Sequence, residues 1–457
     1  VVNAPHIPVH LGAMGASARG LIEQVKDLRP GDAYLSNDPD LGGSHLPDLT
    51  VISPVFDQTG SELRFFTASR AHHAEIGGVR PGSTFPHARS LAEEGVVFRN
   101  LRIARAGVFD EAALHDALTA GEFPSRAPQE NIADVRAALA ANTLGTRELQ
   151  ALIDANTWPV VSAYMGFIRD SAAQTCREMI GRIDDGGYVF DDQLDDGAPL
   201  RIAVTIEGTC MTADFSGTGP VNDNAFNANL AVVTAAILYC LRCMIDQDIP
   251  LNSGVLEPIE IILPTCMLNP PKCEDPRRHA AVDMFFGALG VVSESQGTMN
   301  NLIFGDNTFG YYETICGGAG AGPGFEGADA VHTHMTNTRM TDVEVLEAQY
   351  PVRVRRFAIR RGSGGAGRYR GGDGVIREIE FLKPVRLSLL SQRRSARPFG
   401  LAGGQPAQPG RNLLRRAGEH TERDLGPLVQ IEIHPHDSLT ILTPGGGGYQ
   451  APDDSHA

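Results

Sequence analysis

Apolar and polar residues alternate with a period of two over much of the first 121 residues, and turn residues separate the short apolar runs. This alternation is typical of strands with one buried face. It predicts strands at 49–56 and 63–68, each next to a loop that carries histidine. Between 131 and 184 the apolar positions recur every three to five residues, which predicts two or three amphipathic helices.

Strand-like alternation returns after residue 188 and dominates the C-terminal part of the chain. The predicted strands there are 200–206, 210–215, 352–359, 375–381, 385–391 and 428–442. Helices are predicted at 230–245, where apolar residues are nearly continuous, and at 287–295. Strands and helices that occupy separate stretches of a chain favour an α+β fold.

The changes of period divide the chain into four expected regions. A chain of 457 residues is too long for one compact core, which also favours several packed units. The expected regions are a β-rich region with a metal site at 1–125, a helical segment at 126–186, a mixed α/β region with a glycine-rich loop at 187–350, and a β-rich C-terminal region at 351–457.

Charge and composition exclude some classes of function. A formal net charge of −16 argues against nucleic acid as a partner, because phosphate binding needs a concentrated basic surface. No apolar run approaches the roughly 20 residues that span a bilayer, so no membrane segment is expected. Seven scattered cysteines without a second C-x2-C pair are typical of a reducing compartment, and we expect a cytoplasmic protein.

The densest group of chemically active residue types lies in two neighbouring loops, NDPDLGGSHLPD at 37–48 and RAHHAEIGG at 70–78. His45 and Asp48 can reach one point from a turn, and His72 or His73 can join them from the next strand. Two imidazoles and a carboxylate suit a catalytic Zn, Mn or Fe ion, which activates water and polarises a carbonyl oxygen. Adjacent strand residues point to opposite faces, so His72 and His73 remain alternatives.

A second polar stretch, at 311–339, is rich in glycine. Backbone N–H groups in such a run can converge on an anion, and the candidates are Gly317, Gly318 and Gly320. A strand would place His332 and His334 on one face, where they are candidates for catalysis, metal binding or substrate contact. Histidines with structural hydrogen bonds and plain glycine turns are the alternative interpretation.

Ten strings in order along the chain resemble the hydantoinase B/oxoprolinase family. They are HIPVHLGAM at 6–14, GGSHLPDLTVISPVF at 42–56, HHAEIGG at 72–78, DFSGTGP at 214–220, IPLNSG at 249–254, QGTMNN at 296–301, YYETICGGAGAGPGF at 311–325, VHTHMTNTRMTD at 331–342, RRGSGGAGRYRGGDG at 360–374 and TPGGGGY at 443–449. The resemblance covers almost the whole chain, and ten ordered motifs exceed what chance produces.

The resemblance implies the B component of an ATP-dependent cyclic-amide hydrolase that converts 5-oxoproline to glutamate. Members of the family work with a hydantoinase A-type ATPase subunit or domain, so it also implies a hetero-oligomer in which the partner uses ATP and Mg. The metal ligands of metal-dependent relatives lie in motifs that match His45, Asp48 and His72 or His73. Hydrolysis of a hydantoin or another lactam, ketone carboxylation through the same kind of phosphorylated intermediate, and a non-catalytic scaffold role are the alternatives.

Further roles follow from this interpretation. Asp38 and Glu75 are candidate general bases. The substrate carboxylate needs cationic or N–H donors, for which Arg339, Asn337 and the glycine backbone are candidates. Two departures from the family pattern are expected to bear on activity: the acidic segment that usually precedes HIPVHLG does not stand in the five residues before it here, and no GNVxTSQ sequence follows residues 268–279.

Overall fold

The computed structural model of the protein describes residues 10, 12–83, 85, 88, 90–222, 227–250, 252–270, 279–336 and 338–452. Over these ranges it contains eight α-helices and eighteen strands in four sheets. The expected α+β class is confirmed. Asn337 and most of the loop after residue 268, where the chain departs from the family, lie outside the described residues.

The described helices and strands alternate irregularly along the chain. The helices are α1 (Ala13–Gln24), α2 (Leu91–Glu94), α3 (Glu111–Thr119), α4 (Pro128–Asn156), α5 (Trp158–Ile180), α6 (Leu230–Met244), α7 (His279–Ala288) and α8 (Val343–Gln349). The strands are β1 (Ala33–Ser36), β2 (Asp48–Phe56), β3 (Leu63–His72), β4 (Leu101–Arg105), β5 (Val108–Phe109), β6 (Gly186–Gln193), β7 (Pro199–Glu207), β8 (Cys210–Asp214), β9 (Ile259–Ile262), β10 (Asn301–Gly305), β11 (Gly310–Thr314), β12 (Val352–Arg360), β13 (Gly374–Phe381), β14 (Val385–Leu390), β15 (Arg411–Arg415), β16 (Arg423–Asp424), β17 (Leu428–Ile433) and β18 (Ser438–Leu442).

The first sheet, in the order β3-β2-β1-β4-β5, carries the first candidate site. β2 and β3 are antiparallel, with Asp48 opposite His72 and Thr50 opposite Arg70. Residues two apart on a strand share a face, so these two cross-strand pairs lie side by side on one face. α4 lies against the opposite face, where Asn142 donates its side-chain amide to the Val51 carbonyl at 3.0 Å.

The other three sheets form two further cores. The sheet β6-β7-β8-β9 packs against α6 and α7 through buried side chains such as Val204, Leu238 and Phe285. The sheets β11-β10-β14-β17 and β12-β13-β18-β15-β16 share a second core. Because β10 pairs with β14, one sheet joins the regions expected at 187–350 and 351–457.

Most predicted elements lie where expected, and the differences have local causes. The helix predicted at 287–295 is wrong: α7 lies earlier and ends at Ala288, and the chain then turns at Gly290, whose φ is 66°. The strand predicted at 428–442 is divided into β17 and β18 by a turn in which His436 has a φ of 68°. The helices α1 and α3 lie in a part of the chain where strands and loops were expected.

Candidate metal centre

His45, Asp48 and His72 come together at one end of the first sheet. Each offers one ligand atom, and these atoms all lie within 4.8 Å of one another. The Nδ1 atom of His72 lies 3.0 Å from Oδ1 of Asp48, and the rings of His45 and His72 stack with centroids 5.4 Å apart. His45 and Asp48 are buried, whereas the His72 side chain is 22% exposed.

Local backbone geometry brings these residues together. A turn before β2 is closed by the backbone N–H of Asp48, which donates to the His45 carbonyl at 2.9 Å. The pairing of β2 with β3 then places His72 directly opposite Asp48. Gly42 opens the same loop with a φ of 87°, and a side chain there would overlap with the backbone nitrogen of Ser17. Glycine therefore suits this position, because it tolerates the positive φ and has no side chain to overlap with Ser17.

The donor set of this triad fits a divalent transition-metal ion. Two imidazoles and one carboxylate suit Zn, Mn or Fe, whereas Mg and Ca usually take oxygen ligands alone. Three protein ligands leave positions for water and substrate, as catalytic sites require. Among the described residues this is the one group of three His, Cys, Asp or Glu side chains with such spacing.

His73 points away from this triad. Its Nδ1 atom lies 3.1 Å from the Asn131 amide nitrogen and 3.8 Å from Oδ2 of Asp134, both on α4. Burial lowers the pKa of His73 to about 4, so the ring is neutral near pH 7. Of the two histidines left open by the sequence, His72 is the one that the structure brings to His45 and Asp48.

Replacing His73 with Asn is expected to reduce the loss of stability in acid. The unfolded chain binds a proton at this histidine near pH 6.5, whereas the folded chain does so only near pH 4, so stability is lost as the pH falls through that window. Protonation of His73 is expected to lower the free energy of unfolding by about 3 kcal/mol over this pH window. Urea unfolding at pH 7 and pH 4.5 measures this loss of stability. His115→Asn is the control, because the side chain of His115 on α3 is 43% exposed. An equal pH dependence in wild type and His73→Asn would contradict the assignment.

The two candidate general bases are held by structural contacts. Asp38 accepts a hydrogen bond from the backbone N–H of Asp40 at 2.9 Å, and its other oxygen lies 2.7 Å from Nε of Arg99. Glu75 accepts hydrogen bonds from the backbone N–H of Gly77 and Gly82 and from Arg126.

Burial raises the pKa of Glu75 although the Arg126 guanidinium opposes the shift. Either carboxylate, Asp38 or Glu75, would have to leave its partners to accept a proton from water. The structure therefore favours a role in fixing loops for both residues.

The stretch around the two later histidines does not form a strand that places both on one face. Val331 forms an isolated bridge with Gly317, but His334 has a φ of 49°, which ends any shared strand face. His334 is held on both sides, with Nε2 3.1 Å from Asp283 Oδ1 and Nδ1 3.3 Å from the Tyr239 hydroxyl.

His332 differs from His334 in its contacts. Its Nδ1 is buried without a hydrogen-bond partner in the described part of the chain. Burial lowers the pKa of this imidazole, so the ring is neutral near pH 7. His332 therefore has a buried ring nitrogen without a partner among the described residues. Both ring nitrogens of His334, in contrast, lie within hydrogen-bonding distance of Asp283 or Tyr239.

Two of the three glycine N–H groups expected to bind an anion form hydrogen bonds within the chain. The backbone N–H of Gly317 donates to the Val331 carbonyl, and that of Gly318 donates to the Pro444 carbonyl. A side chain at Gly318 would overlap with the Gly372 carbonyl, and one at Gly320 would overlap with the Ser293 carbonyl. These glycines permit close packing between backbone segments.

Two further candidates were expected to contact the substrate carboxylate, Arg339 and Asn337. Arg339 is exposed, and no ion pair between it and another described residue is seen. Asn337 lies outside the described residues.

Three side chains that sequence reasoning did not select surround the triad. Ser44 donates a hydrogen bond to Asp48, and Arg70 donates one to Ser44. The ring of Tyr312, on β11, lies 4.8 Å from the ring of His72, and its hydroxyl donates to Asn301. Ser44 and Arg70 lie inside the two loop motifs already noted, whereas Tyr312 is brought in by the packing of a distant hairpin.

The fold and this site define an α+β protein with a His-Asp-His cluster suited to a divalent metal. The family model of hydantoinase B/oxoprolinase matches residues 1–452. The chain therefore belongs to the hydantoinase B/oxoprolinase family, as its sequence motifs predict.

Two curated relatives and one solved structure show the extent of the similarity. The chain is 42% identical to the 5-oxoprolinase of Dictyostelium discoideum over 99% of its own length and 37% of the relative's. It is 42% identical to 5-oxoprolinase 1 of Arabidopsis thaliana over 98% of its own length and 38% of the relative's. The crystal structure of the ATP-dependent caprolactamase from Pseudomonas jessenii superposes with a TM-score of 0.87 at 24% identity, covering 98% of this chain and 83% of that one.

The matched region is one part of each 5-oxoprolinase. The chain spans less than two fifths of the length of the two 5-oxoprolinases that it matches. At 24% identity the caprolactamase structure supports the fold alone. None of the described helices combines the length and the apolar character needed to cross a membrane.

Proposed function

We propose that this chain is the B component of an ATP-dependent cyclic-amide hydrolase that opens 5-oxoproline to glutamate. The observation that carries the proposal is the 42% identity, along almost the whole chain, to proteins named 5-oxoprolinase. The compact His-Asp-His cluster supports it, because it gives this chain a site for hydrolytic chemistry of its own.

The proposed reaction needs a second active component. Amide resonance makes a five-membered lactam a poor electrophile, and ring opening must be driven against a favourable ring closure. A hydantoinase A-type ATPase, as a subunit or a domain, would supply this drive by using ATP and Mg to phosphorylate the lactam oxygen. The length of the two 5-oxoprolinases beyond the matched region leaves room for such a component.

Different residues of this chain would hold the metal ion, contact the substrate and position other groups. His45, Asp48 and His72 would hold the ion, which lowers the pKa of a nearby water and polarises a carbonyl when bound. Tyr312 lies against His72 and forms part of the surroundings of the triad. We propose substrate contact for His332, whose Nδ1 has no hydrogen-bond partner among the described residues, and a positioning role for His334.

Coexpression with an A-type ATPase component tests this proposal. We expect ATP hydrolysis that depends on 5-oxoproline, with equimolar release of glutamate. Parallel assays with hydantoin, caprolactam, and acetone plus bicarbonate separate the alternative activities. A larger response to one of these compounds would replace 5-oxoproline as the substrate, and no response to any of them would favour the scaffold role.

A further inference from the structure

We propose that Ser44 and Arg70 are positioning residues that make Asp48 a one-oxygen metal ligand, with Oδ1 directed to the ion and Oδ2 retained by the protein. The inference rests on the proposed metal site and extends it, because neither Ser44 nor Arg70 belongs to the triad. In this proposal, the hydrogen bonds from Arg70 to Ser44 and from Ser44 to Asp48 fix the orientation of the Asp48 carboxylate.

The two oxygens of Asp48 have different surroundings. Oδ2 accepts a hydrogen bond from the Ser44 hydroxyl at 2.7 Å. Oδ1 lies 3.0 Å from Nδ1 of His72, another member of the triad. Asp48 and Ser44 are each only 1% exposed, so bulk water cannot readily replace the hydrogen bond between them.

The direction of the Ser44 hydroxyl follows from its neighbours. The guanidinium of Arg70 can only donate, and its Nη1 atom lies 3.2 Å from the Ser44 oxygen. The single hydroxyl proton is therefore free to point to Asp48, which as a carboxylate can only accept. His10 Nδ1 lies 3.3 Å from the same oxygen and can then bond to Ser44 only as a donor.

Arg70 connects the elements that build the site. Its Nε donates to the Thr50 hydroxyl at 2.6 Å, and its Nη2 donates to the Ser17 hydroxyl at 2.7 Å and to the Gly42 carbonyl at 3.1 Å. One guanidinium thus joins β2, α1 and the start of the loop that carries His45. A lysine ammonium has no planar fork and cannot reproduce these separated contacts.

The expected effect is a loss of metal affinity in two variants. Partners that orient a metal ligand typically change affinity 10- to 100-fold when removed. We expect Ser44→Ala and Arg70→Lys each to raise the dissociation constant for Mn or Zn by about 10-fold or more. Competition with a chromogenic chelator measures this constant on the full chain, without substrate or an ATPase partner.

Ser69→Ala is the matched control. Ser69 precedes Arg70 on β3, but its hydroxyl donates to the Asn142 side chain at 2.7 Å on the opposite face. The control removes a serine hydrogen bond from the same part of the sheet and should leave the dissociation constant unchanged. Circular dichroism and the urea midpoint check that each variant is folded.

The possible results separate this inference from the proposed function. Folded Ser44→Ala with wild-type affinity would overturn the positioning role and leave the metal site in place, whereas a wild-type chain that binds no ion would overturn both. If Ser44→Ala does not fold, crystals of the metal-loaded wild type decide instead. One Asp48 oxygen on the ion supports the inference, and two oxygens contradict it.

Discussion

Replacement of His45 by Ala is expected to remove the divalent ion and the ring-opening activity together. His45 supplies one of the three ligand atoms of the triad, and two ligands alone hold a catalytic ion poorly. The loss of affinity should exceed the roughly 100-fold that marks the removal of an outer partner. The fold should remain, because the backbone hydrogen bond that closes the loop uses the carbonyl of residue 45 rather than its side chain.

Metal content per chain and 5-oxoproline-dependent ATP hydrolysis measure this outcome. His73→Asn is the matched control, because His73 is a buried histidine that contacts α4 instead of the triad. We expect it to keep both the ion and the activity. Full metal content and turnover in His45→Ala, or their loss in folded His73→Asn, would contradict the assignment of ligands.

Gly318→Ala is expected to cause a large loss of stability. The added Cβ would overlap with the Gly372 carbonyl and lie 2.5 Å from the backbone nitrogen of Gly446. Both neighbours are backbone atoms that cannot move aside as a flexible side chain can. We expect a loss of about 3 kcal/mol or more in the free energy of unfolding, measured by urea titration, or no soluble protein at all.

Gly121→Ala is the control for this prediction. Gly121 is exposed, and a Cβ at this position would meet no atom within 4 Å. Its substitution should change the free energy of unfolding by less than about 0.5 kcal/mol. Equal stability of the Gly318 and Gly121 variants would show that the glycine-rich segments are not packed as tightly as described.

The part of the site that lies in short local motifs could be predicted from the sequence. His45 and Asp48 stand three residues apart directly before a predicted strand, so a single turn can bring them together. The choice between His72 and His73 needed the register of β2 against β3. Register depends on how both faces of the sheet are covered, and α4 covers one of them.

The remaining features depend on contacts between segments that are distant in sequence. Tyr312 reaches His72 because a later hairpin packs beside the first sheet, and nothing next to either residue signals that contact. The N–H groups of Gly317 and Gly318 resemble an anion site in sequence, yet Val331 and Pro444 take them. The run of glycines in the sequence indicates that this loop needs residues without a side chain. The structure gives the reason: backbone from a distant part of the chain packs against it.

Anomalous X-ray diffraction from crystals of the Mn- or Zn-loaded chain tests the central claim most directly. The account predicts one strong peak per chain, within ligand distance of His45, Asp48 and His72. A chain that takes up the ion elsewhere, or shows no peak beside these three side chains, would contradict the proposed metal centre and the chemistry assigned to it.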